Sequence, residues 1–263
     1  MKKFSAVGVG IVFCFCNSLG ALYSGNGDTS RGGAVGTGSL NLTDNGTTIS
    51  ATFNKGSGSF GDILVLFIDS TAGGFTDTTP FGDTSTALTR AISGLLDPEH
   101  RSTAIFANGF AADYAIALGV NEGIAIYQLA SGGSGSLVQL RTLPHNNWDS
   151  PNQASYGFSF TWADLGLSGG SGFNFQSTYI TSNGARYLES FESLSGTKDW
   201  GGTVTFANYN TYGNVAPIPE PANAALALFG GITLGLSVLA RLRLVIISRM
   251  SHHPANMPVG ART

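Results

Sequence analysis

The chain holds few groups able to do covalent chemistry, and their spacing narrows the choice further. Between the two terminal apolar stretches the only histidines are His100 and His145. There is no cysteine there, because Cys14 and Cys16 both fall inside the first apolar stretch. Thiolate nucleophiles, disulfides and His/Cys zinc clusters are therefore excluded from that body. Serines abound, yet no Gly-x-Ser-x-Gly elbow stands on a strand-to-helix turn, so no Ser-His-Asp triad is picked out. His100, within Asp97-Pro98-Glu99-His100-Arg101, reads as a solvated turn residue. Glu189 and Glu192 read as surface charges. Paired carboxylates for glycoside hydrolysis are a matter of separation in space, which spacing in sequence does not supply.

Two groupings point to binding instead. Asn146-Asn147-Trp148-Asp149, in a polar loop, offers a ring face flanked by amide and carboxylate, the set that recognises a sugar. On this reading Trp148 faces solvent and stacks on the sugar while Asn147 and Asp149 bond its hydroxyls. Asp199-Trp200 is a second such pair. The competing role for each tryptophan is to cap the core, since aromatics bury large areas. Asp62, Asp69, Asp77 and Asp83 stand beside glycine-rich turns and supply hard oxygen ligands of the kind calcium prefers, although no EF-hand loop is present.

Charge limits the partners. From Asp28 to Glu220 there are sixteen acidic residues and only seven basic ones, so this part is more acidic than the net −3 of the whole chain. Such a surface does not suit a phosphate backbone, and nucleic acid is excluded as a partner. SGGSG occurs at 131–135 and again at 168–172, but neither copy is followed by Lys-Ser or Lys-Thr. Both are loops rather than phosphate cradles.

The elements that must position these residues are short strands. Residues 40–42 and 48–53 flank Thr43-Asp44-Asn45-Gly46, and Asn-Gly between two such runs is a hairpin signal. Residues 62–69, DILVLFID, form a continuous apolar run, which predicts a strand covered on both faces. Further strands are expected at 102–106, 114–120, 123–129, 138–143, 156–162, 173–181 and 203–206, with one helix at 87–96. The fold class is all-β, an antiparallel β-sandwich or jelly roll over residues 39–208. Residues 22–38, rich in glycine and small polar side chains, read as a flexible entry, and 209–221 as a linker.

Both ends carry address signals. Met1-Lys2-Lys3, an apolar run over 4–15 and Ser18-Leu19-Gly20 make a secretory signal peptide spanning 1–21. Near the other end, residues 222–240 read ANAALALFGGITLGLSVLA without a charge, and as a helix would cover about 29 Å, one hydrocarbon core. Arg241 and Arg243 follow, as expected on the cytoplasmic side, and residues 241–263 form a basic stop and cytoplasmic tail. Just before the helix, Pro219-Glu220-Pro221 must be extended, because its prolines remove donors and restrict their predecessors. The Pro-Glu-Pro, apolar helix and arginines together resemble the PEP-CTERM sorting signal. That resemblance implies an exosortase-type membrane enzyme as partner, membrane anchoring of the precursor, and a cell-surface or extracellular destination in a matrix of exopolysaccharide.

The middle of the chain resembles the family 9 carbohydrate-binding and DOMON-like sandwiches. The segments concerned are 61–69, then 109–116 with 123–127, then Tyr156-Gly157-Phe158-Ser159-Phe160-Thr161-Trp162-Ala163-Asp164-Leu165-Gly166-Leu167. The resemblance implies the sandwich more than any particular ligand. The expected function is a non-catalytic binding or structural module, the alternative a secreted hydrolase acting on glycans or esters.

Overall fold

A computed structural model of the chain describes residues 20–97, 100–129, 137–146, 148, 150–180, 193–194 and 202–215. Residues 1–19 of the expected signal peptide, the Pro-Glu-Pro motif, the apolar segment 222–240, Arg241, Arg243 and the expected tail lie outside the described residues. Among the described residues no helix is long and apolar enough to cross a membrane.

Alternation builds the first hairpin. Strands β1 (Gly20–Ser24), β2 (Ser39–Asp44) and β3 (Thr48–Asn54) bury every second side chain of β2 and β3, which brings Leu40, Leu42, Ile49, Ala51 and Phe53 inside. The β2–β3 turn is set by Gly46 at φ +87° and by the Asp44 carboxylate, which accepts the Gly46 N–H at 2.9 Å. β4 (Ile63–Asp69) is buried along its whole length. Helix α1 (Ala87–Ser93) follows, opened by a Thr86–Thr89 capping box and closed by Gly94 in the left-handed region. It is shorter than the expected 87–96 because Gly94 turns the chain into β5 (Leu95–Asp97).

The remaining strands are β6 (His100–Arg101), β7 (Thr103–Ile105), β8 (Tyr114–Gly119), β9 (Gly123–Leu129), β10 (Leu137–Thr142), β11 (His145–Asn146), β12 (Ser155–Thr161), β13 (Gly172–Ile180), β14 (Thr203–Thr205) and β15 (Asn210–Gly213). They form an antiparallel five-stranded sheet, β1-β2-β3-β12-β11, and an antiparallel six-stranded one, β10-β9-β8-β4-β13-β15. Two small ribbons, β14-β7 and β5-β6, complete the pairing.

One apolar cluster joins the two sheets, with Phe53, Tyr156 and Phe160 meeting Leu66, Ile116, Ile126 and Phe175. A second covers the other face of the six-stranded sheet, where Leu88 and Ile92 of α1, Phe81, Phe106 and Phe110 lie against Val65, Phe67, Ala115 and Ala117. Burial on both sides is why residues 63–69 read as one apolar run instead of an alternation. The alanines on β8 give the helix a low surface to approach.

The sandwich reaches beyond the expected 39–208 at both ends. The glycine-rich entry is ordered: β1 pairs with β2, the Gly25 and Gly27 N–H groups donate to Gly38 and Gly36, and Ala34 and Val35 are fully buried. Its glycines serve close packing, since a Cβ at Gly36 would lie 1.9 Å from the Asp28 carbonyl oxygen. At the other end, residues 210–213 of the expected linker are strand β15, paired with β13. Tyr212 is buried there, stacked on Trp162 at 6.0 Å, and donates from Oη to Asp44 Oδ2 at 2.9 Å.

Candidate functional site

Trp148 is not a solvent-facing platform. It is 7% exposed, its ring lies 5.1 Å from Tyr156 and 6.3 Å from Phe60, and its Nε1 donates to the Gly157 carbonyl at 3.1 Å. The ring is large and apolar with one polar atom, so once that atom has a carbonyl partner the core is its better environment. The role first expected for Trp148 is thus corrected to that of an anchor. Asn147, Asp149, Glu189, Glu192, Asp199 and Trp200 lie outside the described residues.

What Trp148 anchors is the edge strand β11. Asn146 is paired with Gly157 and His145 with Phe158 of β12. His145 Nδ1 lies 2.9 Å from the Leu143 carbonyl, which can only accept, so Nδ1 is the donor in that bond. Gly157 permits the close approach of β11's amide: a Cβ there would stand 2.3 Å from Asn146 Oδ1. Between β3, β11 and β12 lies an open groove of about 320 Å3, with Ser50, Thr52, His145, Asn146 and Ser159 on its walls.

The groove belongs to a wider polar face. Strand register aligns Thr43 with Ser50 and Ser159, Asn41 with Thr52 and Gly157, and Ser39 with Asn54 and Ser155. All of these are half-buried or exposed, and none is charged. Hydroxyls and amides both donate and accept, so the face matches a neutral hydroxylated partner laid across the strands. Among the described residues no hydrogen bond links Ser50, Thr52 or Ser159 to His145. Ser50, Thr52 and Ser159 carry no motif. Their one sequence signal is the alternation of 48–53 and 156–162, whose polar members must turn away from the core.

The four aspartates considered for calcium are dispersed. Asp62 pairs with Arg31 at 2.9 Å just before β4, and Asp69 sits buried at the far end of that strand, roughly 20 Å away, with the Asn174 amide donating to it. Asp77 and Asp83 each close a short turn, accepting the N–H of Thr79 at 2.7 Å and of Ser85 at 2.9 Å. Burial pushes the Asp83 carboxyl up, but the bonds from Ser85 and Thr89 outweigh it and hold it below its ordinary value. Among the described residues no three His, Cys, Asp or Glu side chains gather where one ion could sit. No shared cradle joins these four.

Two carboxylates elsewhere titrate high. Burial raises Asp113, despite N–H bonds from Ser70 and Thr71, and raises Glu122 on the β8–β9 turn. Asp164, under the same pressure from burial, is instead pulled low by Arg141, whose Nε donates to it at 3.0 Å, and by Thr161. Asp113 and Glu122 line separate cavities, of about 350 Å3 and 300 Å3, and among the described residues the groove beside β11 holds no carboxylate. In none of the three do two carboxylates flank a common space, the arrangement that glycoside hydrolysis requires.

No protein-family model, curated protein or solved structure matches the chain. Function has to be argued from these surfaces. The feature with the clearest chemistry is the uncharged outer face of the five-stranded sheet.

Proposed function

We propose that the chain is an exported cell-surface or matrix module that binds a neutral polysaccharide, without catalysis, across the outer face of its five-stranded sheet. The observation that carries this reading is the aligned array of hydroxyls and amides from β2, β3 and β12, ending in the groove beside Asn146. Three strands at about 4.8 Å spacing give an extended binding line, and an extended polymer with hydroxyls at regular intervals can meet it through repeated modest bonds. The acidic balance of the body disfavours anionic polymers at close range.

Delivery forms part of the proposal. The amino-terminal signal, Pro219-Glu220-Pro221, the apolar segment 222–240 and Arg241 with Arg243 support export, transient anchoring and processing by an exosortase-type enzyme. The test of binding is retention of the exported protein on the polysaccharide made by its own cells. Replacing Thr52 and Ser159 together by lysine puts two solvated charges on the face without touching the core. Loss of retention at an unchanged unfolding temperature is the expected result. Retention equal to that of the unaltered protein would remove the face from consideration.

A further inference from the structure

A second cavity lies away from that face, at the end of β8 and β9 where residues 71–75 turn over the six-stranded sheet. Its volume is about 350 Å3, at the lower end of ligand pockets, with room for one ring and not for a chain. Thr71, Asp113, Tyr114 and Gln128 are the polar side chains among its lining residues. Tyr114 and Gln128 are register partners on adjacent strands, so their side chains leave the same side of the sheet.

One of these groups is held in place and two are uncommitted. Asp113 Oδ2 accepts the Ser70 and Thr71 N–H groups at 2.9 and 2.8 Å, and the hydroxyls of the same two residues also bond the carboxylate, which fixes it. Neither the Tyr114 hydroxyl nor the Gln128 amide makes a hydrogen bond within the described residues. The rim is equally defined. Phe75 exchanges two backbone bonds with Ala112, at 2.9 and 2.8 Å. Gly74 stands at φ +92°, where a Cβ would come within 2.6 Å of the Ala111 carbonyl oxygen. Phe75, alongside, also lines the cavity while its ring packs on Phe81 at 4.8 Å.

We infer that this cavity binds a single neutral sugar ring, its hydroxyls meeting the Asp113 carboxylate, the Tyr114 Oη and the Gln128 amide. A carboxylate that only accepts, a phenol that does both and an amide that does both form the mixed set that vicinal hydroxyls satisfy. A metal ion is the poorer fit, since one carboxylate oxygen is already spent on two N–H groups and no other His, Cys, Asp or Glu lines the cavity. Burial, which raises the Asp113 carboxyl, also marks a site from which water is partly excluded. The inference is separate from the proposed function, because the cavity shares no residue with the outer face of the five-stranded sheet.

The test is saturation-transfer NMR and titration of the full-length protein with D-glucose, D-galactose and N-acetyl-D-glucosamine, and with calcium chloride as the ionic probe. Gln128→Ala and Tyr114→Phe each remove one uncommitted polar group and no bond of the fold. Each should weaken hexose binding about five- to tenfold at an unchanged unfolding temperature. The Thr52, Ser159 double lysine variant should bind the hexose as before. Three results overturn the inference: no hexose binds, binding survives both substitutions, or only calcium responds. If Tyr114→Phe lowers the unfolding temperature, Gln128→Ala alone decides. Loss of the hexose signal in the double lysine variant would assign it to the groove and reject the cavity.

Discussion

Once the Trp148 ring is covered, its N–H has to find an acceptor, and the Gly157 carbonyl at 3.1 Å meets that need. That bond and the rings of Tyr156 and Phe60 predict the consequence of truncation. Trp148→Ala should cost about 3–5 kcal/mol, read as an earlier thermal or urea transition. A surface lectin tryptophan would lose binding and leave the transition where it was. Asp164 predicts a pH effect of definite sign. Its carboxyl is held below the ordinary range, so the folded state binds its proton less readily than the unfolded chain does. The stabilisation is present above the unfolded value of about 4 and is lost as pH falls through the lower folded value. Asp113 is raised and acts oppositely, its contribution present in acid and lost as pH climbs through its folded value. Asp164→Asn should therefore flatten the acid limb of the stability profile below about pH 4, while Asp113→Asn should not. Urea midpoints taken between neutral pH and pH 3 would check this. Equal slopes for the Asp164 variant and the parent would contradict it.

At the scale of elements, the strands legible in the sequence are those with a long pattern or a turn signal. Residues 62–69 announced a strand covered on both faces, and the β2–β3 hairpin was written in Asn45-Gly46. The elements that were not legible are short or made of small residues. β11 has two residues and is held by the indole of Trp148, two positions further on, whose packing on Tyr156 no motif announces. β1 hides in a segment whose glycines look like freedom but allow backbones to touch. β15 has a single inward aromatic, too little for any periodicity. That aromatic gives the third prediction. Tyr212 is buried, stacks on Trp162 and bonds Asp44 at the first hairpin, so it ties the last strand to the first turn. Tyr212→Ala should cost on the order of 3 kcal/mol and lower amide protection in residues 210–213 together with the β2–β3 turn. A residue of a free linker would change neither.

For the folded body as a whole, charge is separated by surface. Sixteen acidic residues against seven basic ones lie between Asp28 and Glu220, yet the Ser/Thr/Asn rows of the five-stranded sheet carry none of them. Placing the charge elsewhere keeps the body soluble through its net repulsion and leaves one face whose bonds are all between neutral groups. Neutral hydrogen bonds gain little from long-range fields, so salt should scarcely affect them. The Debye length falls from about 10 Å at 0.1 M to about 3 Å at 1 M, which removes the repulsion between an acidic protein and an anionic polymer but leaves a neutral contact as it was. Retention on a neutral glucan or galactan should therefore be flat across that range. Retention on a uronic acid polymer should start near zero and rise with salt. A steep fall on the neutral polymer as salt rises would mean that ion pairs carry the binding, and the uncharged face would then not be where the polysaccharide lies.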